Sequence, residues 1–129
     1  MQYLLDTVTL VRHFTGTGKL GQGASQILDA IEESNDSLFV SVVSLMEIMY
    51  LAEKNRIEIN LSETLDLIEA SAKYTIIDLS PDILRVAETI EFHELHDRLI
   101  LATAKWLGVK IISSDSELRK VEGIQVLWE

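Results

Sequence analysis

Cysteine is absent from the 129 residues, and proline occurs once. Without cysteine there is no disulfide framework, no thiolate metal site and no sulfur nucleophile, a composition compatible with a reducing compartment. Oxygen ligands and three histidines are what remain to hold a metal. No apolar run is long enough for a membrane span, and the opening MQYLLDT lacks the basic start of a signal peptide, so the expected location is cytoplasmic. Cations are scarce too: 11 Lys and Arg stand against 21 Asp and Glu, a formal charge of −10. That balance excludes a protein held on nucleic acid by a broad basic surface, because phosphate contacts need Lys and Arg in number. It does not exclude a metal nuclease, whose carboxylate cleft repels phosphate until cations fill it. An acidic body also suits a basic protein partner. Internal repeats, low-complexity tracts and interdomain linkers are missing as well, and 47% hydrophobic content with 25% charge is that of one globular domain spanning residues 1–129.

What is present alternates between strand and helix patterns. Gln2 to Asp6 reads as a first strand buried on both faces, followed by a helix from Thr7 to Phe14 with Asp6 as its N-cap. Gly21 to Glu33 carries apolar residues at helical spacing, and Leu38 to Val42 is a second strand. The helix from Ser44 to Asn55 is apolar around most of its circumference, which predicts cover from another chain on one side. Ser62 to Ser71 is an amphipathic helix and Tyr74 to Leu79 a third strand. Ser80-Pro81-Asp82 then starts a helix that runs to about Phe92. His96 to Asp115 (HDRLILATAKWLGVKIISSD) supplies a helix ended by Gly108 and a fourth strand from Val109 to Ser113. A brief helix near Ser116 to Lys120 and a strand from Ile124 to Trp128 end the chain. Such alternation predicts an α/β fold with a parallel sheet covered by helices on both faces.

Four acids occupy special places. Asp97 shares a helical face with Ile100, Leu101 and Ala104, and Glu47 has Val43, Tyr50 and Leu51 as helical neighbours, so both carboxylates lie on apolar faces. Asp6 and Asp115 each follow a strand, at the end where open parallel sheets bind ligands. Each acid also has a structural alternative: Asp6, Asp97 and Asp115 as helix caps, and Ser44-Leu45-Met46-Glu47 as a capping box. An unpaired buried charge costs several kcal/mol, so such groups are paired, protonated or metal-bound. Arg98, the nearest basic residue in sequence, is set about 100° around the helix from Asp97. Mg²⁺ or Mn²⁺ fits the set best, since hard ions take carboxylate oxygens.

Asp6 after an apolar strand, Glu47 in a Ser-x-x-Glu helix start, Asp97 in HDRLILATA and Asp115 in IISSD resemble, in order and approximate spacing, the four acidic positions of PIN-domain nucleases. The resemblance covers nearly the whole chain and is closest to the compact VapC-type toxins of toxin–antitoxin pairs. It implies a three-layer α/β/α sandwich with a mostly parallel sheet of about five strands, the first and fourth side by side. It further implies a metal-dependent endoribonuclease in which Asp6, Asp97 and Asp115 hold Mg²⁺, Glu47 completes the cluster directly or through water, and the products carry a 5′-phosphate and a 3′-hydroxyl. Thr7 and Ser113 stand where hydroxyls steady such a cluster. Asp6-Thr7-Val8 departs from the Asp-Thr-Ser or Asp-Thr-Asn usual in the family and lacks one polar side chain. The implied partners are RNA, a small antitoxin with a basic segment, and a second copy of the chain.

Other residues carry less. His93-x-x-His96-Asp97 has a spacing seen in zinc sites, but no third strong ligand is adjacent. Arg12, Lys19, Arg98 and Lys105 read as scattered surface cations, His13 as exposed, and Trp106 and Trp128 as core. Glu88, Glu91 and Glu94 form an outer helix face, with Glu94 a candidate fifth ligand. The competing functions are an RNA-processing nuclease without an antitoxin and a non-catalytic RNA- or protein-binding module. A phosphoacceptor receiver domain is set aside because Asp6 is followed by Thr7 and the third strand ends Leu79-Ser80-Pro81, with Asp78 inside the strand.

Overall fold

The computed structural model describes all 129 residues. Its elements are β1 (Gln2–Leu5), α1 (Thr7–Thr15), α2 (Gln22–Asp29), β2 (Ser37–Ser41), α3 (Val42–Glu53), α4 (Leu61–Glu69), β3 (Tyr74–Ile77), α5 (Pro81–Glu88), α6 (Leu95–Leu107), β4 (Lys110–Ile112) and β5 (Val126–Leu127), with a short 3₁₀ turn at Leu118–Lys120. The five strands form one parallel sheet in the order β3-β2-β1-β4-β5. β1 is the middle strand, and Leu4 and Leu5 are wholly buried because helices cover both faces, as parallel sheets require.

Successive residues of one strand point to opposite faces, and this sorts the core into two halves. Leu4 and Ile111 pack with Ile83 and Ala87 of α5 and Ile100, Leu101 and Ala104 of α6. Leu5, Val40 and Ile112 pack on the other face with Leu10 of α1, Leu28 of α2 and Ile68 of α4. Helix α3 serves both, giving Val43 to the first cluster and Leu45 and Ile48 to the second. The result is the expected three-layer α/β/α sandwich.

β1 lies between β2 and β4, pairing Leu5 with Val40 on one side and with Ile112 on the other. Between β1 and β4 the strand order reverses direction along the sheet. At such a switch point the connections leave to opposite faces and a crevice opens beyond the strand ends. Asp6 is the first residue past β1, and Ser113 the first past β4.

Several expected boundaries move. α3 begins at Val42 and is capped by Ser41, whose hydroxyl accepts from the Val43 amide at 3.0 Å. The capping box expected at Ser44 and Glu47 therefore does not form, and Ser44 is a fully buried residue of the first turn. α5 stops at Glu88 instead of Phe92, and α6 opens at Leu95 with Glu94 as its cap. Trp106, expected in the core, is 48% exposed at the far end of α6. Trp128 does pack against the core. His13, expected in solvent, is partly covered and lies 2.9 Å from the Tyr74 hydroxyl.

Candidate active site

Asp6 is 7% exposed, and both of its oxygens are engaged. Oδ1 accepts the Thr9 amide at 2.9 Å, the capping bond of α1, while Oδ2 accepts the Ser113 hydroxyl. The buried charge is thus met by a backbone and a side-chain donor from either side of the β1–β4 seam. Thr9 ties the same seam by donating its hydroxyl to the Ile112 carbonyl at 3.1 Å. Ser113 also accepts the Asp115 amide at 3.0 Å, so one buried hydroxyl sets both the carboxylate of Asp6 and the backbone of Asp115.

Asp115 is half-buried, with Oδ1 accepting from the Glu117 amide at 2.9 Å. That contact closes a turn two residues on and is not a helix cap, since the 3₁₀ turn that follows Glu117 has no side-chain cap. Of the two strand-end acids only Asp6 takes the capping role, and both present a carboxylate beyond the strands. Asp97 and Glu47 are different. Asp97 stands in the first turn of α6, but the cap is Glu94, whose Oε2 accepts the Asp97 amide at 2.7 Å and whose Oε1 accepts that of His96 at 3.2 Å. Glu47 lies in mid-helix, where no capping role exists. Its Oε1 accepts the Thr7 hydroxyl at 2.5 Å. A hydroxyl has one proton, so with Thr7's given to the carboxylate, the 2.9 Å contact between Thr7 and Ser44 uses the proton of Ser44.

The carboxylates feel one another. Burial pushes the Asp97 carboxyl up to about 6, and the negative charges of Glu94, Glu47, Asp115 and Asp6 push in the same direction. No Lys or Arg forms an ion pair with any of these five acids. Arg98 turns away and donates to the Ala87 carbonyl at 2.7 Å, consistent with its place around the helix. The only nitrogen base at the cluster is His96, whose Nδ1 lies 3.5 Å from Glu47 and 3.5 Å from Glu94.

The donor set is all carboxylate oxygen and its charge is uncompensated, which fits a hard divalent cation. In their present positions, however, no three His, Asp or Glu side chains close to metal-ligating range. Ligation by three of them would require side-chain rotation. Asp97 is free to rotate, since no protein donor holds its carboxylate.

All four acids read from the sequence therefore lie at one crevice, with Thr7 and Ser113 bonded to two of them. Glu94, which the sequence groups with Glu88 and Glu91 on an outer face or offers as a fifth ligand, is instead the cap of α6. Glu is outside the usual N-cap residues, so no local signal marked it. Thr9 carries no local signal either, because its hydroxyl partner is 103 positions away in the chain.

A family model described as PIN domain matches residues 3–124. No curated protein sequence matches the chain. Among solved structures, VapBC2 from Rickettsia felis bound to a DNA fragment from its promoter superposes with a TM-score of 0.77 at 17% identity, covering 100% of both chains. A toxin–antitoxin complex from Klebsiella pneumoniae gives 0.63 at 25% identity over 97% of this chain and 95% of that one. The Mycobacterium tuberculosis toxin VapC20, described as cleaving the sarcin–ricin loop, gives 0.70 at 12% identity over 98% and 99%.

Proposed function

The chain belongs to the PIN-domain family, and on that premise we propose that it is a Mg²⁺- or Mn²⁺-dependent endoribonuclease, the toxin of a toxin–antitoxin pair. The observation that carries this reading is the gathering of Asp6, Glu47, Asp97 and Asp115 at the switch point with no Lys or Arg to balance them. A purely structural set of acids would be spent on caps and ion pairs. Asp97 is spent on neither, Glu47 meets only the Thr7 hydroxyl and the His96 ring, and gathering the four charges costs the fold stability where no cation balances them.

In this reading Asp6, Asp97 and Asp115 hold the cation, with Glu47 joining directly or through water. When bound, the cation lowers the pKa of water and offsets the charge that develops on a phosphodiester under attack. The protein's own part is placement. Ser113 and the Thr9 amide fix Asp6, Thr7 fixes Glu47, and the Glu94 cap sets the first turn from which Asp97 projects. Water is the nucleophile in this reading, so no protein nucleophile is needed. RNA as substrate is supported by the sarcin–ricin loop activity named for the tuberculosis neighbour.

An antitoxin partner is supported by the toxin–antitoxin complexes among the structural neighbours. Met46, Met49 and Tyr50 of α3 are 43%, 41% and 53% exposed, so the apolar circumference read from the sequence is not covered within this chain. That face is assigned to a second copy or to the antitoxin, and the acidic body favours a basic segment in the latter.

The test is cleavage of a mixed structured and single-stranded RNA pool in Mg²⁺, Mn²⁺ or EDTA, comparing wild type with Asp97→Asn. Metal-dependent cleavage lost in the variant is expected. Folded wild-type protein that neither cuts RNA nor binds metal by calorimetry would move the assignment to a non-catalytic binding module.

A further inference from the structure

We propose that His96 is a positioning residue, one whose Nδ1–H keeps the Glu47 carboxylate turned into the acidic crevice. The inference rests on the metal-site reading above and adds to it a residue outside the acid set. His96 follows Leu95 in the first turn of α6, and its ring reaches across to α3. Nδ1 is equidistant, at 3.5 Å, from Glu47 Oε2 on α3 and Glu94 Oε1 at the cap of α6. That separation is longer than a formed N–H···O bond, so the group answers two acceptors and belongs wholly to neither.

The consequence follows from what else holds each carboxylate. Glu94 is committed, because its two oxygens accept the backbone amides of His96 and Asp97. Glu47 is not: Oε1 has the Thr7 hydroxyl, and Oε2 has only His96. No Lys or Arg reaches it. Were the imidazole removed, Glu47 Oε2 and Glu94 Oε1 would stand no farther apart than twice the present contact with no donor between them. Glu47 would swing about its remaining anchor, away from Glu94 and Asp97 and toward the open apolar groove of Met46, Met49 and Tyr50 that it already borders. The cation site would then lose the carboxylate that completes it. Partners that orient ligands in this way are typically worth about 10-fold or more in metal affinity.

The chemistry provides a discriminating pair of variants. Asparagine carries an amide nitrogen close to the position of Nδ1 and so retains the donor, whereas alanine removes it. Mn²⁺ affinity of the RNA-free protein is read by calorimetry, with thermal unfolding in EDTA as a check on folding and kcat and KM for RNA read separately. His96→Ala is expected to weaken Mn²⁺ binding about 10-fold and to lower kcat more than it raises KM, while His96→Asn stays within about 3-fold of wild type. Should the alanine variant fail to fold, His96→Gln keeps the bulk but carries its amide one bond farther out, and it replaces alanine in the comparison. Equal loss in the donor-retaining and donor-lacking variants, or loss in neither, overturns the inference. Wild-type protein that binds no Mn²⁺ instead refutes the metal-site reading itself, and is recognised before any variant is compared.

Discussion

At the scale of single residues, the most informative group is Asp97. Its carboxyl is raised to about 6, first by burial and then by Glu94, Glu47, Asp115 and Asp6. The folded chain therefore holds this proton more tightly than the unfolded chain, whose value is near 3.8. Stability from this group is fully present below the unfolded value and is lost as pH rises through about 6. At neutral pH the ionised carboxylate is a burden on the metal-free fold. Asp97→Asn removes that burden without breaking a hydrogen bond. In EDTA at pH 8 the variant is expected to melt several degrees higher, on the order of 1 kcal/mol after solvent screening. The difference should vanish below about pH 4, and equal melting curves at pH 8 would show that the crevice does not strain the empty protein. The same residue was legible in the sequence by its spacing to Ile100, Leu101 and Ala104. The partners that raise it were not, because Glu94 acts through a cap that Glu residues seldom form and Glu47 comes from another helix.

At the scale of elements, the register of α3 decides where Glu47 falls. Ser44-Leu45-Met46-Glu47 matches a capping box, but Ser41 three residues earlier takes the cap because β2 runs directly into the helix with no intervening loop. A strand that ends in a buried serine leaves the chain no slack to start the helix later. Local pattern could not choose between two serines three apart, since both precede apolar residues at helical spacing. The tertiary contact chooses: with Ser44 inside the helix, its hydroxyl meets Thr7 and braces the donor to Glu47. Ser41→Ala should lower stability by about 1 kcal/mol, a typical cap loss, while leaving Mn²⁺ affinity within about 2-fold. Chemical denaturation and calorimetry check the two halves of that statement. A silent Ser41→Ala would return the cap to Ser44 and with it the structural explanation of Glu47. Helix α6 shows the complementary case, where Gly108 ends the helix in the left-handed conformation at φ 71°, as its position after an apolar run predicts.

At the scale of the whole molecule, the alternation of strands and helices predicts a parallel sheet, but not the order of its strands. Periodicity has no information about which strands are neighbours. The adjacency of β1 and β4 came with the family resemblance, and it is what turns two acids 109 positions apart in the chain, Asp6 and Asp115, into one site. The exposed apolar face is also a whole-molecule property. A helix apolar around its circumference, set at the margin of both cores, satisfies each core with Val43, Leu45 and Ile48 and has Met46, Met49 and Tyr50 left over. No part of the chain covers these three side chains in the structure. A contiguous apolar patch of this kind favours association, and the charge of −10 opposes it through long-range repulsion that salt screens. The balance predicts a dimer through α3 that strengthens with ionic strength. Met49→Lys, which places a cation in the patch, should give a monomer by sedimentation equilibrium with an unchanged melting temperature in EDTA. Wild-type protein that stays monomeric from low to high salt would leave the face to the antitoxin alone. A variant that dimerises as well as wild type would place the self-association elsewhere on the surface.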